Sequence, residues 1–410
     1  MRILVISNLY PPHGIGGYEE RCKYTVDMLR SRGHDVHVLT SDHQIEGRVS
    51  ESEQNIHRKL RVHGFYGHPW LPIHKLYSLE HENQETLKAT VESVQPDIVH
   101  VWNMGGISKA LLHTLEASST PLLYDISDHW IARSLKADVW LSWWNDAGSP
   151  ARSTLRKLLT CLGLKSYFAK QVPTAPVSAL QFKNIYFCSQ FMRDLTVGKG
   201  YPVAHAGVIY CGVDTKAFKR KQNYQVPRRF LWVGRLAEDK DPLTAVRGIL
   251  GASAKTATPL QLDLYGKGSQ AYTDQVNAEI VTAGATDRIQ IKSVSHEKMR
   301  TLYADYDAYI FSSNWGEPFA LTPLEAMASG LPVIMCPDGG DIELLEDGVN
   351  ALGFAPGDPA SLAAAIARFL EIPDFGKAIS DTALERVGQA YSLKTMCDQI
   401  EVHLEATVSK

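Results

Sequence analysis

The sequence predicts an α/β protein built from two doubly wound, Rossmann-like domains, and three observations carry that prediction. Short apolar runs bounded by Gly and Pro alternate with longer stretches of helical period, the pattern of parallel strands joined by crossover helices. The alternation fills the first half, lapses over 204–227 and restarts at 228. At 410 residues, the chain is also longer than one ordinary core accommodates.

Element by element, "RILVIS" (2–7) reads as a buried parallel strand, followed by the loop "YPPHGIGG" (10–17) and a helix from about Tyr18 to Arg32. Further strands are "HDVHVLTSD" (34–42), "PDIVHVW" (96–102), "PLLYDIS" (121–127) and "NIYFCS" (184–189). The second series is "RRFLWVGRL" (228–236), "LQLDLYG" (260–266), "RIQIKSV" (288–294), "DAYIFSS" (307–313) and "LPVIMCP" (331–337). This gives a first domain over 1–205, a connection over 206–227, a second domain over 228–385 and a C-terminal helix over 386–410. Two such domains facing each other leave a cleft at the carboxyl ends of their strands, where open α/β sheets bind ligands.

Composition narrows the function classes. Apolar content of 44% with 21% charged residues fits a globular chain, and a net charge of −3 gives no reason to expect nucleic acid. Residues 1–205 carry 22 basic against 19 acidic side chains and 206–410 carry 20 against 26, an imbalance too small to assign partners. The six cysteines form no C-x-x-C pair, so neither a zinc site nor a disulfide framework is indicated, and a reducing cytoplasm is the expected home. The apolar run in "MRILVISNLYPP" breaks at Ser7, too early for a signal peptide, and no run reaches bilayer-spanning length.

The glycines of "GIGGYEE" stand between a strand and a helix start, where backbone N–H groups approach an anion. Gly14, Gly16 and Gly17 do not make the dinucleotide fingerprint, and a plain tight turn is an equal reading. In "VGRLAEDKDP", Arg235 offers a planar fork and Lys240 a mobile point charge, a pairing suited to a diphosphate, although each taken alone reads first as a solvated loop charge. In "GEPFALTPLEAMASG" (316–330), Thr322 reads as N-cap, Pro323 as the first helical residue and Glu325 as a capping-box glutamate or a ligand group. Glu317, held in a loop by Pro318, has no evident structural duty. The N–H groups of Phe319, Ala320 and Leu321 lie ahead of that helix and are placed to bind an anion.

Taken together, "YPPHGIGGYE", "VIYCGVDTKAF", "VGRLAEDK", "LDLYGKG", "GEPFALTPLEAMASGLPVI" and "GGDIELLEDGVNALGFAPGDP" resemble the retaining, nucleotide-sugar-dependent glycosyltransferases of family 4, nearly end to end. The resemblance implies the two-domain GT-B fold and a UDP- or GDP-linked sugar donor, with neither cofactor nor metal. It implies that Glu317 holds the donor sugar and Glu325 the ribose, and that the C-terminal helix crosses back to the first domain. Arg235, Lys240 and the amides of Phe319, Ala320 and Leu321 would hold the diphosphate, which Gly16 and Gly17 would reach on domain closure. Gly266 and Val294 fall where base and sugar selectivity are set. Same-face transfer is implied, the leaving diphosphate assisting deprotonation of an acceptor hydroxyl, so Arg235 and Lys240 supply the leaving-group charge.

One departure concerns "SDHW": Ser127 stands where the family carries a histidine near the donor sugar. Either Asp128 or His129 takes over that contact, and Asp128 is favoured; its other reading is an aspartate capping the next turn. "DYD" (305–307) spells a metal-binding motif of a different glycosyltransferase fold but sits at a helix-to-strand junction, and His100 reads first as a packed strand histidine. "VWLSWWNDAG" (139–148) is either core or an acceptor-side wall. The basic stretch 151–170 reads first as a helix packed on the first domain with a solvated basic face, and second as a peripheral contact with an anionic membrane. The acceptor is a carbohydrate, a lipid-linked sugar or a small molecule. Two alternatives remain: a sugar-phosphate synthase of the same fold, and a catalytically silent nucleotide-sugar-binding protein.

Overall fold

The run "RILVI" folds as strand β1 (Arg2–Ile6) with its last four residues buried, because a parallel strand covered on both faces must be apolar throughout. The computed structural model describes every residue except 15, 50–53, 64–70, 133–137, 147, 225–226, 257–258, 373 and 410. Around β1 stand β2 (Asp35–Ser41), β3 (Ile56–Leu60), β4 (Ile98–Val101), β5 (Leu122–Ile126), β6 (Ile185–Phe187) and β7 (Gly207–Val208). They form one parallel sheet in the order β3-β2-β1-β4-β5-β6-β7.

The second sheet holds β8 (Arg229–Val233), β9 (Gln261–Tyr265), β10 (Ile289–Lys292), β11 (Ala308–Phe311), β12 (Val333–Met335) and β13 (Leu352–Gly353). Its order is β10-β9-β8-β11-β12-β13. Counted within each domain, the first sheet runs 3-2-1-4-5-6-7 and the second 3-2-1-4-5-6, the doubly wound order, so the expected fold class is the observed one. In each, the direction of winding reverses between the first and fourth strands, leaving a crevice at their carboxyl ends. One face of the second sheet carries a core in which Phe230, Trp232, Leu262, Leu264 and Ile310 pack with Leu362 and Ile366 of the helix Pro359–Glu371.

Strands β3, β7 and β13 went unread in the sequence. β3 is "IHRKL", where only Leu60 is buried, and the other two are two residues long.

The chain divides into two compact units, Met1–Ile209 with Cys397–Lys410, and Tyr210–Met396. The expected connection over 206–227 is therefore corrected. Gly207 and Val208 pair with β6, while Lys221 N–H bonds Ser329 O at 2.8 Å and the Tyr224 hydroxyl bonds Gly330 O at 2.7 Å within the second unit. Missing helical period signalled irregular backbone, which here is packed backbone; Gln225 and Val226 of that segment lie outside the described residues. The C-terminal helix is likewise two helices, Phe375–Ala390 and Leu393–Val408, with residues from Cys397 onward belonging to the first unit. Among the described residues no helix is long and apolar enough to cross a membrane.

Candidate functional site

In the second unit, the loops after β8 and β11 meet at the point where winding reverses. Both strands end in polar turns, "GRLAEDKD" and "SSNWGEPF", so side chains gather where backbone carbonyls run out. Lys240 closes a 3₁₀ turn, Glu238–Lys240, and its ammonium meets the Glu317 carboxylate, which is 5% exposed. Ser313 donates to the same carboxylate oxygen at 2.6 Å, and the Lys240 Nζ lies 5.3 Å from the centroid of the Trp315 ring. The residues assigned to the diphosphate and to the donor sugar thus face each other directly. A charge pair this buried is stabilising only while both partners and their hydrogen bonds remain.

The backbone that aims Glu317 depends on glycines. Gly316 has φ 77°, and Gly339 at φ 76° would place a Cβ 2.4 Å from Glu317 O. Gly340 N–H then donates to Glu317 O at 2.7 Å, and Gly316 N–H to Asp338 at 2.7 Å. The "GGD" segment is therefore a buttress for the Glu317 loop.

Three readings change here. The helix is Leu321–Ala328 with Ala320 as N-cap, so Thr322 is inside it and accepts from the Tyr309 hydroxyl at 2.8 Å. Glu325 is not a capping-box glutamate, since its carboxylate accepts from the Tyr303 hydroxyl at 2.8 Å. The Ala320 N–H, expected to face an anion, donates to Asp341 Oδ1 at 2.7 Å. Asp341 is fully buried and its second oxygen has no hydrogen-bond partner. Burial, reinforced by the Glu317 carboxylate, holds its carboxyl well above the usual carboxylate range. The phenyl ring of Phe319 is 6% exposed, against Tyr210 and Tyr391.

Arg235 is exposed and bonds Asp239 at 2.6 Å, so it stands apart from the Lys240–Glu317 pair. Beside it the loops after β8 and β9 touch: Leu236 N–H donates to Lys267 O at 2.9 Å, and Gly234 N–H to Tyr265 O at 3.1 Å. A Cβ on Gly266 would fall 1.8 Å from Gly234 O, and one on Gly268 1.9 Å from Leu236 O, so "GKG" is a requirement of close backbone approach. Val294 is half-buried just before Ser295, which caps the helix His296–Leu302.

In the first unit, Gly16 is the N-cap of the helix Gly17–Ser31, and its N–H donates to Glu19 at 2.8 Å. The amide proposed for a phosphate is thus already bonded, by the capping carboxylate three residues on; Ile15 of the same loop lies outside the described residues. Ser127 is tied to Arg21 and donates to Asp125 at 2.7 Å, with Arg21 and Asp125 both buried. Asp128 accepts the N–H of its neighbour His129 at 2.6 Å and is half-buried where His129 is 4% exposed. His100 is fully buried: the Trp102 indole donates to its Nδ1 at 3.1 Å, leaving Nε2 to donate to the Tyr186 hydroxyl at 3.0 Å. Burial lowers its pKa to about 4, so it is a packed neutral histidine.

Of the remaining stretches, Trp140 and Trp144 are buried core. "DYD" lies at the opposite end of β11, where Asp305 pairs with Lys219 at 2.8 Å and Asp307 accepts the Arg228 and Arg229 N–H groups at 2.9 Å each. The residues missed in the sequence are Asp239, Ser313, Trp315, Asp338 and Asp341. The doubled serine and tryptophan of "SSNWGEP" and the i, i+4 spacing of Asp239 from Arg235 were the available signals, since Asp338 and Asp341 act through tertiary proximity.

Comparison with known proteins agrees with this architecture. Residues 15–217 match the family described as Glycosyltransferase Family 4, and residues 213–386 the family described as Glycosyl transferases group 1. A glycogen synthase of Mycobacterium tuberculosis is 25% identical over 97% of this chain and 92% of its own length. Among solved structures, a sucrose-phosphate synthase of Thermosynechococcus elongatus superposes with TM-score 0.70 at 18% identity, over 100% of this chain and 99% of that one. The Anabaena protein HepE, in complex with UDP and glucose, superposes with TM-score 0.67 at 19% identity, over 99% and 100% of the two chains. The fold is GT-B, the two family matches between them take in residues 15–386, and the chain belongs to the family 4 glycosyltransferases.

Proposed function

We infer that the chain transfers a hexose-type unit from a UDP- or GDP-linked donor to a hydroxyl acceptor, with retention of anomeric configuration. The observation that best supports this reading is the Lys240–Glu317 pair at the carboxyl ends of β8 and β11. A mobile cation there neutralises the diphosphate that forms as the glycosidic bond breaks, and a carboxylate beside it orients the hydroxyls of the sugar. Glu325, on the helix that follows, is assigned the ribose, and Arg235, once released from Asp239, a second phosphate contact. Asp128 of the first unit is assigned a sugar contact on family resemblance. The solved HepE complexes with UDP and with UDP-glucose support the donor class.

In the step itself, the acceptor oxygen bonds the anomeric carbon on the face from which the diphosphate oxygen departs. That departing oxygen accepts the acceptor's proton. Charge neutralisation is assigned to side chains, so a chelator should leave turnover unchanged. Removing Lys240 should cost about 10²–10³ in rate, as for a single oxyanion donor.

The test is a thermal-shift titration with UDP, GDP and ADP on the wild type, Lys240→Ala and Glu325→Ala, followed by NMR of the product's anomeric centre. Ligand at 100 times its Kd should stabilise by about 2.7 kcal/mol, visibly in the wild type and weakly in both variants. No shift with any diphosphate, or equal shifts in the variants, overturns the site assignment. Inverted product overturns same-face transfer.

A further inference from the structure

The basic stretch of the first unit is arranged in an unexpected way. It folds as two helices, Pro150–Cys161 and Leu164–Gln171, joined by Gly163 at φ 74°, and neither helix contains a buried residue. The single helix expected to pack on the first domain with a solvated basic face is thus two helices, and leucines as well as basic side chains stand in solvent. Leu155 is 44% exposed, Leu158 54%, Leu162 64% and Tyr167 61%. Positions 155, 158 and 162 follow the i, i+3, i+7 spacing, so the leucines form one stripe. Among the described residues, every large leucine or tyrosine side chain that counts as exposed lies in this hairpin.

The other side of the hairpin is fastened down. Arg156 donates to Trp143 O at 3.2 Å and Asp146 O at 2.7 Å, capping the helix Val139–Asn145. The Phe168 ring packs 4.7 Å from that of Tyr77, and Lys165 lies 5.9 Å from the Trp144 ring. The exposed stripe is thus held in place by contacts made on the opposite face, and its exposure does not come from a loose segment.

Charge says what covers it. Between Asp146 and Asp194 the chain has no acidic residue, while the hairpin carries Arg152, Arg156, Lys157, Lys165 and Lys170. This concentration of positive charge sits in a chain of net charge −3. A second copy of the same face would set like charges against each other, and a nucleic acid would leave the leucines wet. A surface that is anionic at its rim and apolar beneath satisfies both sets of side chains. We propose that the hairpin 150–171 is a docking surface for an anionic lipid bilayer, with the leucine stripe in the interface and Lys157 and Lys170 on the headgroups. The surface is independent of the sugar-transfer reading and would bring the first unit to an acceptor that is itself membrane-held.

Cys161 supplies the probe, since it is exposed and the other five cysteines are buried. Full-length protein labelled there with an environment-sensitive dye is mixed with phosphatidylcholine vesicles, or with vesicles of phosphatidylcholine and phosphatidylglycerol, and co-flotation is read alongside emission. A blue shift and flotation with the anionic vesicles alone, weakened by salt, is the expected result. Lys157→Glu with Lys170→Glu should lower partitioning by more than tenfold, at about fivefold for each cation removed. Leu155→Ser with Leu158→Ser and Leu162→Ser should abolish the blue shift, and all variants should melt like the wild type because these side chains face solvent. The proposal is overturned if anionic vesicles do not float the protein at low salt, or if the leucine variant partitions like the wild type. It is equally overturned if the dye responds to protein concentration with a dimer in sedimentation velocity, which would make a second copy the occupant.

Discussion

Glu80 is a carboxyl 3% exposed inside the first unit, with Oε2 lacking a hydrogen-bond partner. Burial, and then the neighbouring Asp138, push its pKa from 4.5 up to about 8. A carboxyl raised in the folded state holds a proton that the unfolded chain gives up above pH 4.5, so its contribution to stability is present at low pH and is lost between about 4.5 and about 8. Glu80→Gln should therefore flatten the fall in melting temperature over that window and leave a smaller difference at pH 5. A parallel fall in both proteins would count against a protonated Glu80. His100 works in the other direction: its pKa of about 4 means stability is lost as pH drops below its ordinary 6.5. Asp341 behaves like Glu80, and Asp341→Asn, which keeps the acceptor for Ala320 N–H, should be the more alkali-tolerant protein in the same melts. Of these three groups only His100, on its strand, could be read beforehand as packed. Lys240, Glu317 and Glu325 announced themselves by type and spacing, but burial and like-charge neighbours are set by chain segments far apart in sequence.

At the scale of elements, strands with continuous apolar runs were readable, and of the edge strands only β10, where Ile289 and Ile291 alternate with polar residues, was. β1, β4 and β5 are buried at nearly every residue, whereas β3 sets three successive polar side chains, His57, Arg58 and Lys59, at the edge of the sheet. The start of the helix Leu321–Ala328 misled for a related reason. Thr-Pro reads as a cap followed by a first turn, yet Thr322 is held by Tyr309 of β11 and the cap falls at Ala320. Tertiary hydrogen bonding outweighed local preference. The glycines of "GKG" permit a direct comparison. Gly266→Ala must displace a backbone carbonyl, and an overpacked site of that kind costs about 1–3 kcal/mol. Gly388→Ala, in the helix Phe375–Ala390 with nothing within 4 Å of the added carbon, should instead stabilise by about 0.5–1 kcal/mol. Chemical denaturation of the two variants separates the cases. Equal effects would mean that the contact between the loops after β8 and β9 is not needed.

Across the whole molecule, the two series of strands made the domain count plain, while the last helix gave no local sign of which unit it covers. Its return to the first unit came from family resemblance, and the changeover at Cys397 was set by contacts. There Arg32 pairs with Asp398 at 2.6 Å and with Glu401, and His34 bonds Glu401 at 2.7 Å. These pairs are partly exposed, and Glu401→Gln should cost about 0.2–1 kcal/mol, less at high salt. Ile400 and Leu404 are fully buried, and each such side chain is worth about 1.5–3 kcal/mol. Deleting 397–410 should therefore lower the first unit's melting transition far more than Glu401→Gln does, as two-transition calorimetry would show. The same arrangement constrains how the protein is made. Residues 1–209 leave the ribosome first, but the piece that finishes their core emerges only after 210–396 has been translated. At about 5–20 residues per second that wait lasts on the order of tens of seconds. The unit translated second can complete its fold first, and during the interval the nascent first unit holds an open apolar groove that a chaperone has time to find.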